Sequence, residues 1–266
     1  MKVAILGAGN LGLSMAKGLV KSDQVSQLIL TKRNVLNLED WASDIPVLSV
    51  SDDNKWAVSQ ADVIVVAVQP GQWAELAEQI KPVVSAHHLM ISTMTGITIA
   101  AIEESLGDLA VVRSMPNTAA AVEQSMTCIS ANDLAETKMD MAHDVLGVLG
   151  KTMVIEESLM QAATVVCASG IAFWMRLIRA TTQAAIQLGF DAKEAQELAM
   201  NTCEGAASLL INTGNHPEQE IDKVTTPKGC TIEGLNEMEH KGLSSSLIQG
   251  MVASFNKINS IKTDQL

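Results

Sequence analysis

Residues 3–12 read Val3-Ala4-Ile5-Leu6-Gly7-Ala8-Gly9-Asn10-Leu11-Gly12. A short apolar run passes at once into the pattern G-x-G-x-x-G, and residues 13–20 continue with helical apolar spacing, which predicts strand, glycine turn and helix. In that context Gly7 permits the tight turn, Gly9 lets the backbone approach a pyrophosphate, and Gly12 lets the helix pack closely on the strand. Because a helix N-terminus also favours an anion, residues 7–11 are predicted to bind a dinucleotide; the alternative is a plain turn.

Length, charge and cysteine use limit the class of protein. A chain of 266 residues is long enough for two domains, and its net charge of −12 argues against nucleic acid and anionic membrane surfaces as partners. The longest later apolar run, residues 162–175, is too short to span a bilayer. The four cysteines and five histidines show no metal-ligand spacing, so no metal is expected, and a reducing, cytoplasmic location is favoured.

Further apolar runs alternate with helical patterns along the first half of the chain. Strands are predicted at 27–31, 62–68, 88–92, 109–113, 126–130 and 152–156, and helices at 72–81, 99–106 and 134–149. This alternation is typical of a doubly wound parallel sheet, in which ligands bind beyond the carboxyl ends of the strands. The residues expected there, besides the glycine turn, are Thr31, Gln69, Pro70, Thr95, Gly96, Met115, Pro116 and Asn117.

The second predicted strand ends in Thr31-Lys32-Arg33. An NAD site usually carries an acidic residue here, whereas neutral and basic groups suit the additional phosphate of NADP. These three residues therefore favour NADPH, with NADH as the alternative cofactor. A solvated basic loop is the other interpretation of Lys32 and Arg33.

The pattern changes after residue 157. Residues 159–188 are apolar on nearly every helical face, and 193–211, 231–240 and 243–261 are further helical patterns. A domain of this size cannot bury so much apolar surface alone, so a homodimer is predicted through these helices. The expected fold is α/β: a Rossmann-type doubly wound domain at 1–157 and an all-helical substrate and dimerisation domain at 158–266.

Four motifs in this order resemble the pyrroline-5-carboxylate reductase family over essentially the whole chain. They are the glycine turn, A-V-Q-P at 67–70, R-S-M-P-N-T at 113–118 and V-T-T-P-K-G-C-T-I-E-G-L at 224–235. The last resembles the family signature V-T-S-P-G-G-T-T-x-x-G-L and is the most specific. The resemblance implies reduction of 1-pyrroline-5-carboxylate to L-proline with NADPH or NADH by dimers that often assemble further.

The resemblance also implies roles for single residues. Asn54, Ala67, Gln69 and Pro70 match positions that contact the cofactor. Thr231 matches the threonine whose hydroxyl faces the ring nitrogen of the substrate, and it is therefore the expected catalytic residue. Thr226, Gly229 and Cys230 match the loop that holds the substrate carboxylate, and the N–H groups of residues 229–231 are expected to be free to bind an anion.

Several positions depart from the family pattern. Lysine is usual at Gln69, glycine at Lys228, threonine or alanine at Cys230, asparagine at Lys223, and proline at Ile171. Lys228 and Ile171 leave two alternatives open: a reductase of another cyclic imine or imino acid, and a non-catalytic NADP-binding sensor or assembly protein. A β-hydroxyacid dehydrogenase is disfavoured because residues 159–188 contain no lysine.

Overall fold

The structure is a computed structural model that describes residues 1–263. Its strands are β1 (Lys2–Leu6), β2 (Gln27–Thr31), β3 (Leu48–Ser51), β4 (Val63–Val66), β5 (Leu89–Ser92), β6 (Ala110–Met115), β7 (Ser125–Ala131) and β8 (Gly150–Val154). Its helices are α1 (Asn10–Leu19), α2 (Leu36–Ser43), α3 (Asn54–Ser59), α4 (Trp73–Ile80), α5 (Ile99–Leu106), α6 (Met139–Gly147), α7 (Met160–Ala163), α8 (Gly170–Gln187), α9 (Ala192–Thr213), α10 (Pro217–Val224), α11 (Cys230–His240) and α12 (Leu243–Thr263).

Within the described chain, eight strands form one sheet in the order β3-β2-β1-β4-β5-β6-β7-β8. The strands from β3 to β6 are all parallel, whereas β7 pairs antiparallel with β6 and parallel with β8. The predicted doubly wound sheet is confirmed. The strand order reverses between β1 and β4, and a crevice at such a switch point is where open α/β sheets bind their ligands.

Alternate residues of β1 enter two different cores. Val3 and Ile5 belong to one buried cluster and Ala4 and Leu6 to the other. The first cluster contains residues of α1 and α6, and the second contains residues of α3, α4 and α5. The sheet is thus covered on both faces, which explains the continuous apolar runs of its central strands.

Three elements between residues 36 and 59 were not predicted, namely α2, β3 and α3. The helix expected at 134–149 is also divided, into a 3₁₀ segment at Asp133–Lys138 and α6. In the second half of the chain α10 was missed, although His216 caps it and Pro217 is its first residue.

Two compact units are present: residues 1–169 with 258–263, and Gly170–Lys257. The predicted domain boundary at 157/158 stays a prediction, and residues 264–266 of the second predicted domain lie outside the described residues. In the second unit α8 and α9 pack against each other. Large apolar side chains of this unit, such as Trp174, Ile211 and Ile248, are nevertheless more than half exposed.

The helical turns from Glu157 to Gln187 follow one another without a break over 31 residues, and an 18-residue window within them has a mean hydropathy of 1.4, so by length and composition this helix could cross a membrane. The sequence argument that the apolar run is too short was therefore wrong. Its error was to end the run at Arg176, although a single arginine does not end a helix. By length and composition alone this is a weak signal, since a helix that packs against a partner has the same properties.

Candidate functional site

The glycine turn between β1 and α1 is shaped by close backbone approaches. Gly7 has a φ of 111°, and a Cβ there would lie 2.9 Å from the carbonyl oxygen of Ala67. A Cβ on Gly12 would collide with the carbonyl oxygen of Gly7. At Gly9, by contrast, no described atom lies within 4 Å of a Cβ position. Gly7 and Gly12 are thus required by the fold itself, whereas the open side of Gly9 leaves space for a ligand.

A first cleft, of about 650 Å³, lies beyond the carboxyl ends of β1 to β4. Among the predicted cofactor residues it is lined by Gly7, Ala8, Gly9, Thr31, Lys32, Arg33, Asn54, Ala67 and Gln69. It is also lined by residues that the sequence did not indicate: Asn34, Asp52, Val68, Gln72, Glu75, Leu76 and Gln79. Asp52 was missed because β3, which it follows, was missed.

A chain of hydrogen bonds organises the first cleft. The N–H of Ala8 donates to the carbonyl of buried Thr31 at 2.9 Å, and Thr31 Oγ1 donates to Asn54 Oδ1 at 2.6 Å. Asn54 Nδ2 in turn donates to Gln79 Oε1 at 3.1 Å. The hydroxyl proton of Thr31 is therefore already used within the protein. Two cationic side chains, Lys32 and Arg33, and the carboxylate of Asp52 line the same cleft.

A second cleft, of about 600 Å³, lies along the first turns of α1. The predicted residues Asn10, Leu11, Pro116 and Asn117 line it, together with residues not predicted: Leu13, Ser14, Lys17, Thr118, Ala120, Ala121 and Ala168. The remaining predicted cofactor residues, Pro70, Thr95, Gly96 and Met115, line neither cleft. Met115 is buried against Cys128 and Met160.

The side chain of Asn117 is occupied by the protein. Its Oδ1 accepts the N–H of Ala119 at 2.9 Å, and its Nδ2 donates to the carbonyl of Cys167 at 3.2 Å. Its own N–H donates to Ser125 Oγ at 3.0 Å. Asn117 therefore shapes the wall of the second cleft, and the M-P-N-T motif is explained in part by this local structure.

The buried side chain of Arg113, on β6, forms an ion pair with partly exposed Glu157, which follows β8. Arg113 Nη1 donates to Glu157 Oε1 at 3.0 Å, and the same oxygen accepts the N–H of Ile99 at 2.9 Å. Among the described residues, Arg113 Nε and Nη2 and both polar atoms of buried Gln161 have no hydrogen-bond partner. Sequence reasoning missed this group, because an arginine inside an apolar strand gives no local sign of its partner.

The predicted substrate loop belongs to the helical unit. The N–H of Gly229 donates to the carbonyl of Thr226 at 2.9 Å, so the expectation that this N–H is free was wrong. Cys230 and Thr231 are the first two residues of α11, and N–H groups in a first helical turn lack intrahelical acceptors. The loop therefore offers two N–H groups to an anion instead of three. Both side chains are exposed.

Two lysines of this segment depart from the family pattern, and the structure gives a partner for the one at 223. Lys228 has a φ of 59°, a left-handed conformation that favours glycine. Lys223 Nζ donates to Glu220 Oε1 at 2.7 Å, and Asn215 Nδ2 donates to the same oxygen at 2.6 Å. These hydrogen bonds, first from Asn215 and then from Lys223, lower the pKa of Glu220. Lys223 is thus a structural partner of Glu220, whereas nothing in the fold requires a lysine at 228.

A glycine turn at the switch point of a doubly wound sheet, with basic residues after the second strand, defines a Rossmann-type dinucleotide-binding protein. The open side of Gly9 and the donors around the first cleft fit such a cofactor. Comparison with known proteins agrees: residues 2–96 match the family described as NADP oxidoreductase, coenzyme F420-dependent. Residues 157–261 match the family described as pyrroline-5-carboxylate reductase dimerisation.

Individual relatives extend this result to the whole chain. Pyrroline-5-carboxylate reductase 2 of Dictyostelium discoideum is 36% identical, over 98% of this chain and 96% of that protein. Pyrroline-5-carboxylate reductase 1 of the same organism is 42% identical over 99% of this chain, which spans 50% of that longer protein. A solved pyrroline-5-carboxylate reductase from Coxiella burnetii superposes with a TM-score of 0.91, at 27% identity and 97% coverage of both chains. The chain belongs to the pyrroline-5-carboxylate reductase family.

Proposed function

We propose that this protein reduces 1-pyrroline-5-carboxylate to L-proline, the last step of proline biosynthesis, with NADPH as the preferred reductant. The observation that carries the proposal is the match, over nearly the full length of both chains, to a reductase of that name. The proposal includes the expected site residues, with Thr231 as the catalytic residue and Thr226, Gly229 and Cys230 around the substrate carboxylate.

The reaction adds a hydride to the carbon of a C=N bond and a proton to its nitrogen. The nicotinamide supplies the hydride when it is bound. The protein must orient the imine and prevent negative charge from building on its nitrogen, for which a hydrogen bond from the Thr231 hydroxyl suffices. The N–H groups of Cys230 and Thr231 bind the carboxylate at the start of α11, where the helix dipole favours an anion. Orientation then contributes the remaining part of the rate.

Cofactor choice is assigned to the basic pair after β2. Lys32 and Arg33 line the first cleft and provide two cations for the additional phosphate of NADPH. Asp52 lies in the same cleft and weakens that preference by repulsion. NADPH is therefore favoured, while NADH stays a usable alternative.

The assembly proposed is a homodimer formed by the helical unit, with larger assemblies of such dimers left open. Apolar side chains exposed on α8, α9 and α12 support it, because they would be covered by a second copy. The same contact would cover the apolar side chains of α8, which lies within residues 157–261 of the matched dimerisation family. We accordingly propose a cytoplasmic protein without nucleic-acid or membrane partners. A monomer in light scattering at micromolar concentration would contradict the dimer.

The function is tested by following the absorbance of NADPH, and then of NADH, after racemic 1-pyrroline-5-carboxylate is added to purified protein. Oxidation of NADPH with stoichiometric appearance of proline is the expected result. Arg33→Ala should raise the KM for NADPH about tenfold, which corresponds to about 1.4 kcal/mol, and leave the KM for NADH unchanged. Lys81→Ala is the matched control, since Lys81 is an exposed cation outside both clefts.

Other outcomes distinguish the alternatives. Binding of NADPH without proline formation would contradict the proposal and favour a sensor or assembly protein. Turnover of a six-membered cyclic imino acid in preference to the five-membered one would keep the imine chemistry and reassign the substrate. The observation that favours this alternative substrate is Lys228, because it places a cation in the substrate loop.

A further inference from the structure

Two thiols lie next to each other behind the second cleft. Cys128 Sγ and Cys167 Sγ are 3.9 Å apart. Cys128 lies on β7 and is 4% exposed, whereas Cys167 is partly exposed and lies in a π-helical segment at Thr164–Ser169. An S–S bond is about 2.05 Å long, so a relative movement of roughly 2 Å brings the two sulfur atoms to bonding distance.

The surroundings of the two cysteines indicate that Cys167, and not Cys128, is the one that moves. Strand β7 is hydrogen-bonded on both sides, to β6 and to β8, and is therefore held in place. The π-helical segment carries Cys167 on a rare i→i+5 hydrogen-bond pattern, which occurs mostly as single turns inside α-helices and frequently at functional sites. Met115 and Met160 pack beside the pair, and methionine side chains adapt readily to small movements.

We propose that Cys128 and Cys167 form a redox modification site, which a low-molecular-weight disulfide such as oxidised glutathione converts into an intramolecular disulfide. In the first step the thiolate of Cys167 attacks oxidised glutathione, forms a mixed disulfide and releases one glutathione thiolate. In the second step the thiolate of Cys128 attacks the Cys167 sulfur and releases the second glutathione. Two protein thiols lose two electrons and two protons, and one glutathione disulfide becomes two thiols.

The order of the steps follows from exposure. Cys167 is the thiol that a solvent-borne disulfide reaches, and Cys128 resolves the mixed disulfide from inside. Burial, and then the neighbouring Cys167, raise the pKa of Cys128 to about 11. In the mixed disulfide Cys167 no longer carries a thiol, but burial still raises the pKa of Cys128, so the second step is slow near neutral pH and accelerates as the pH rises, because only the thiolate attacks.

The modification reaches the second cleft through the backbone of Cys167. The carbonyl of Cys167 accepts the hydrogen bond from Asn117, and the next residue, Ala168, lines the cleft together with Asn10 and Asn117. Movement of Cys167 toward β7 displaces this wall. Where the proposed function holds, the disulfide lowers the affinity for NADPH about three- to tenfold, the effect of losing one positioning hydrogen bond.

The test incubates the purified protein with oxidised glutathione at neutral and at alkaline pH, followed by non-reducing peptide mapping. The expected product is a Cys128–Cys167 linked peptide that forms faster at alkaline pH and disappears with reductant. Cys128→Ser should instead accumulate glutathione on Cys167, and Cys167→Ser should form no link. Cys203→Ser, which removes a cysteine of the helical unit, should behave as the unaltered protein.

NADPH affinity, measured by fluorescence before and after reduction, gives the second readout. A stable glutathione adduct on Cys167 without linkage at alkaline pH would overturn the proposed site. Linkage with unchanged NADPH affinity would overturn its effect on the cleft. Failure of the reduced protein to bind NADPH would instead contradict the proposed function, while the peptide map would still decide the disulfide.

Discussion

Glu157 Oε1 lies 3.0 Å from Nη1 of Arg113, whose side chain is 2% exposed. The same oxygen accepts the N–H of Ile99, the first residue of α5. One carboxylate thus joins a central strand, the N-terminus of a helix and the short 3₁₀ segment at Glu157–Leu159. Arg113 leads directly into the M-P-N-T segment, so this contact holds part of the second cleft in place.

Replacing Glu157 by glutamine is expected to lower the free energy of unfolding by about 1–3 kcal/mol. The substitution keeps an acceptor for the N–H of Ile99 but leaves the buried guanidinium of Arg113 without a counter-charge. The expected loss is smaller than for a fully buried ion pair, because Glu157 is 31% exposed and solvent screens the charge. Denaturant unfolding measures the difference. Glu156→Gln changes the neighbouring exposed carboxylate and should alter stability by less than about 0.5 kcal/mol. Equal losses in the two variants would show that the ion pair is not responsible.

Lys228→Gly and Lys241→Gly are expected to change stability in opposite directions. At Lys228 glycine relieves a left-handed backbone and should stabilise the protein by up to about 1 kcal/mol. At Lys241, with a φ of −82°, glycine increases the freedom of the unfolded chain and removes an exposed ion pair with Glu237 at 3.5 Å, so it should destabilise the protein by about 0.5–1 kcal/mol. Thermal unfolding compares the pair. If Lys228 also attracts the substrate carboxylate, Lys228→Gly should raise the KM for the imino acid; an unchanged KM removes this lysine from the site.

Thr231→Ala is expected to reduce kcat by roughly ten- to a thousandfold, a loss of about 1.4–4 kcal/mol of transition-state stabilisation. The lost group is the hydroxyl assigned to the ring nitrogen, so Thr231→Ser should retain most of the activity. NADPH affinity should be the same in both variants. Steady-state kinetics with 1-pyrroline-5-carboxylate decide the question, and an unaltered kcat in the alanine variant would exclude Thr231 from the chemistry.

Acid is expected to destabilise the protein through His88, which is 1% exposed. Its Nδ1 accepts the N–H of Ser85 at 3.0 Å, so its Nε2 carries the proton and donates to the Val58 carbonyl at 3.2 Å. Burial, and then the charge of His87, lower the pKa of His88 below 6.5. Between 6.5 and that lower pKa the unfolded chain binds up to one more proton than the folded chain.

Stability should accordingly be complete above pH 6.5 and fall as the pH decreases, by up to about 1.4 kcal/mol per pH unit. The loss should stop once the pH is below the folded pKa. Denaturant unfolding at several pH values measures the slope. His88→Gln should flatten this part of the profile, whereas His240→Gln, an exposed control, should leave it as it is.

The sequence predicted those parts of the fold that depend on local patterns. The apolar run before Gly7 and the β-branched run around Val65 predict central strands because such strands are buried on both faces. The direction of β7 was beyond reach, since it depends on pairing with β6 and not on any pattern within 125–131. The short edge strand β3 was missed, and Asp52 with it, because four residues carry little periodicity.

In the candidate site, too, the sequence predicted what depends on local patterns and missed what depends on distant residues. Backbone positions of the glycine turn were predicted because glycine spacing reports backbone geometry directly. Glu157 and the Cys128–Cys167 pair were not, since each depends on residues that are far apart in sequence. The state of the Gly229 N–H was also out of reach, because a turn closed by Thr226 leaves no mark in the sequence.

Because alternate residues of β1 enter two different cores, the position of the glycine turn depends on the number of residues in β1 more than on which aliphatic residues they are. Substituting one aliphatic residue for another within residues 3–6 alters a single core and leaves the strand in register. Deleting or inserting one residue there would turn the neighbouring side chains of β1 toward the opposite cores. The alternative is that Gly7 shifts by one position relative to Ala67. Variants of this protein that remain functional should therefore differ freely in which aliphatic residues precede Gly7 while keeping their number the same.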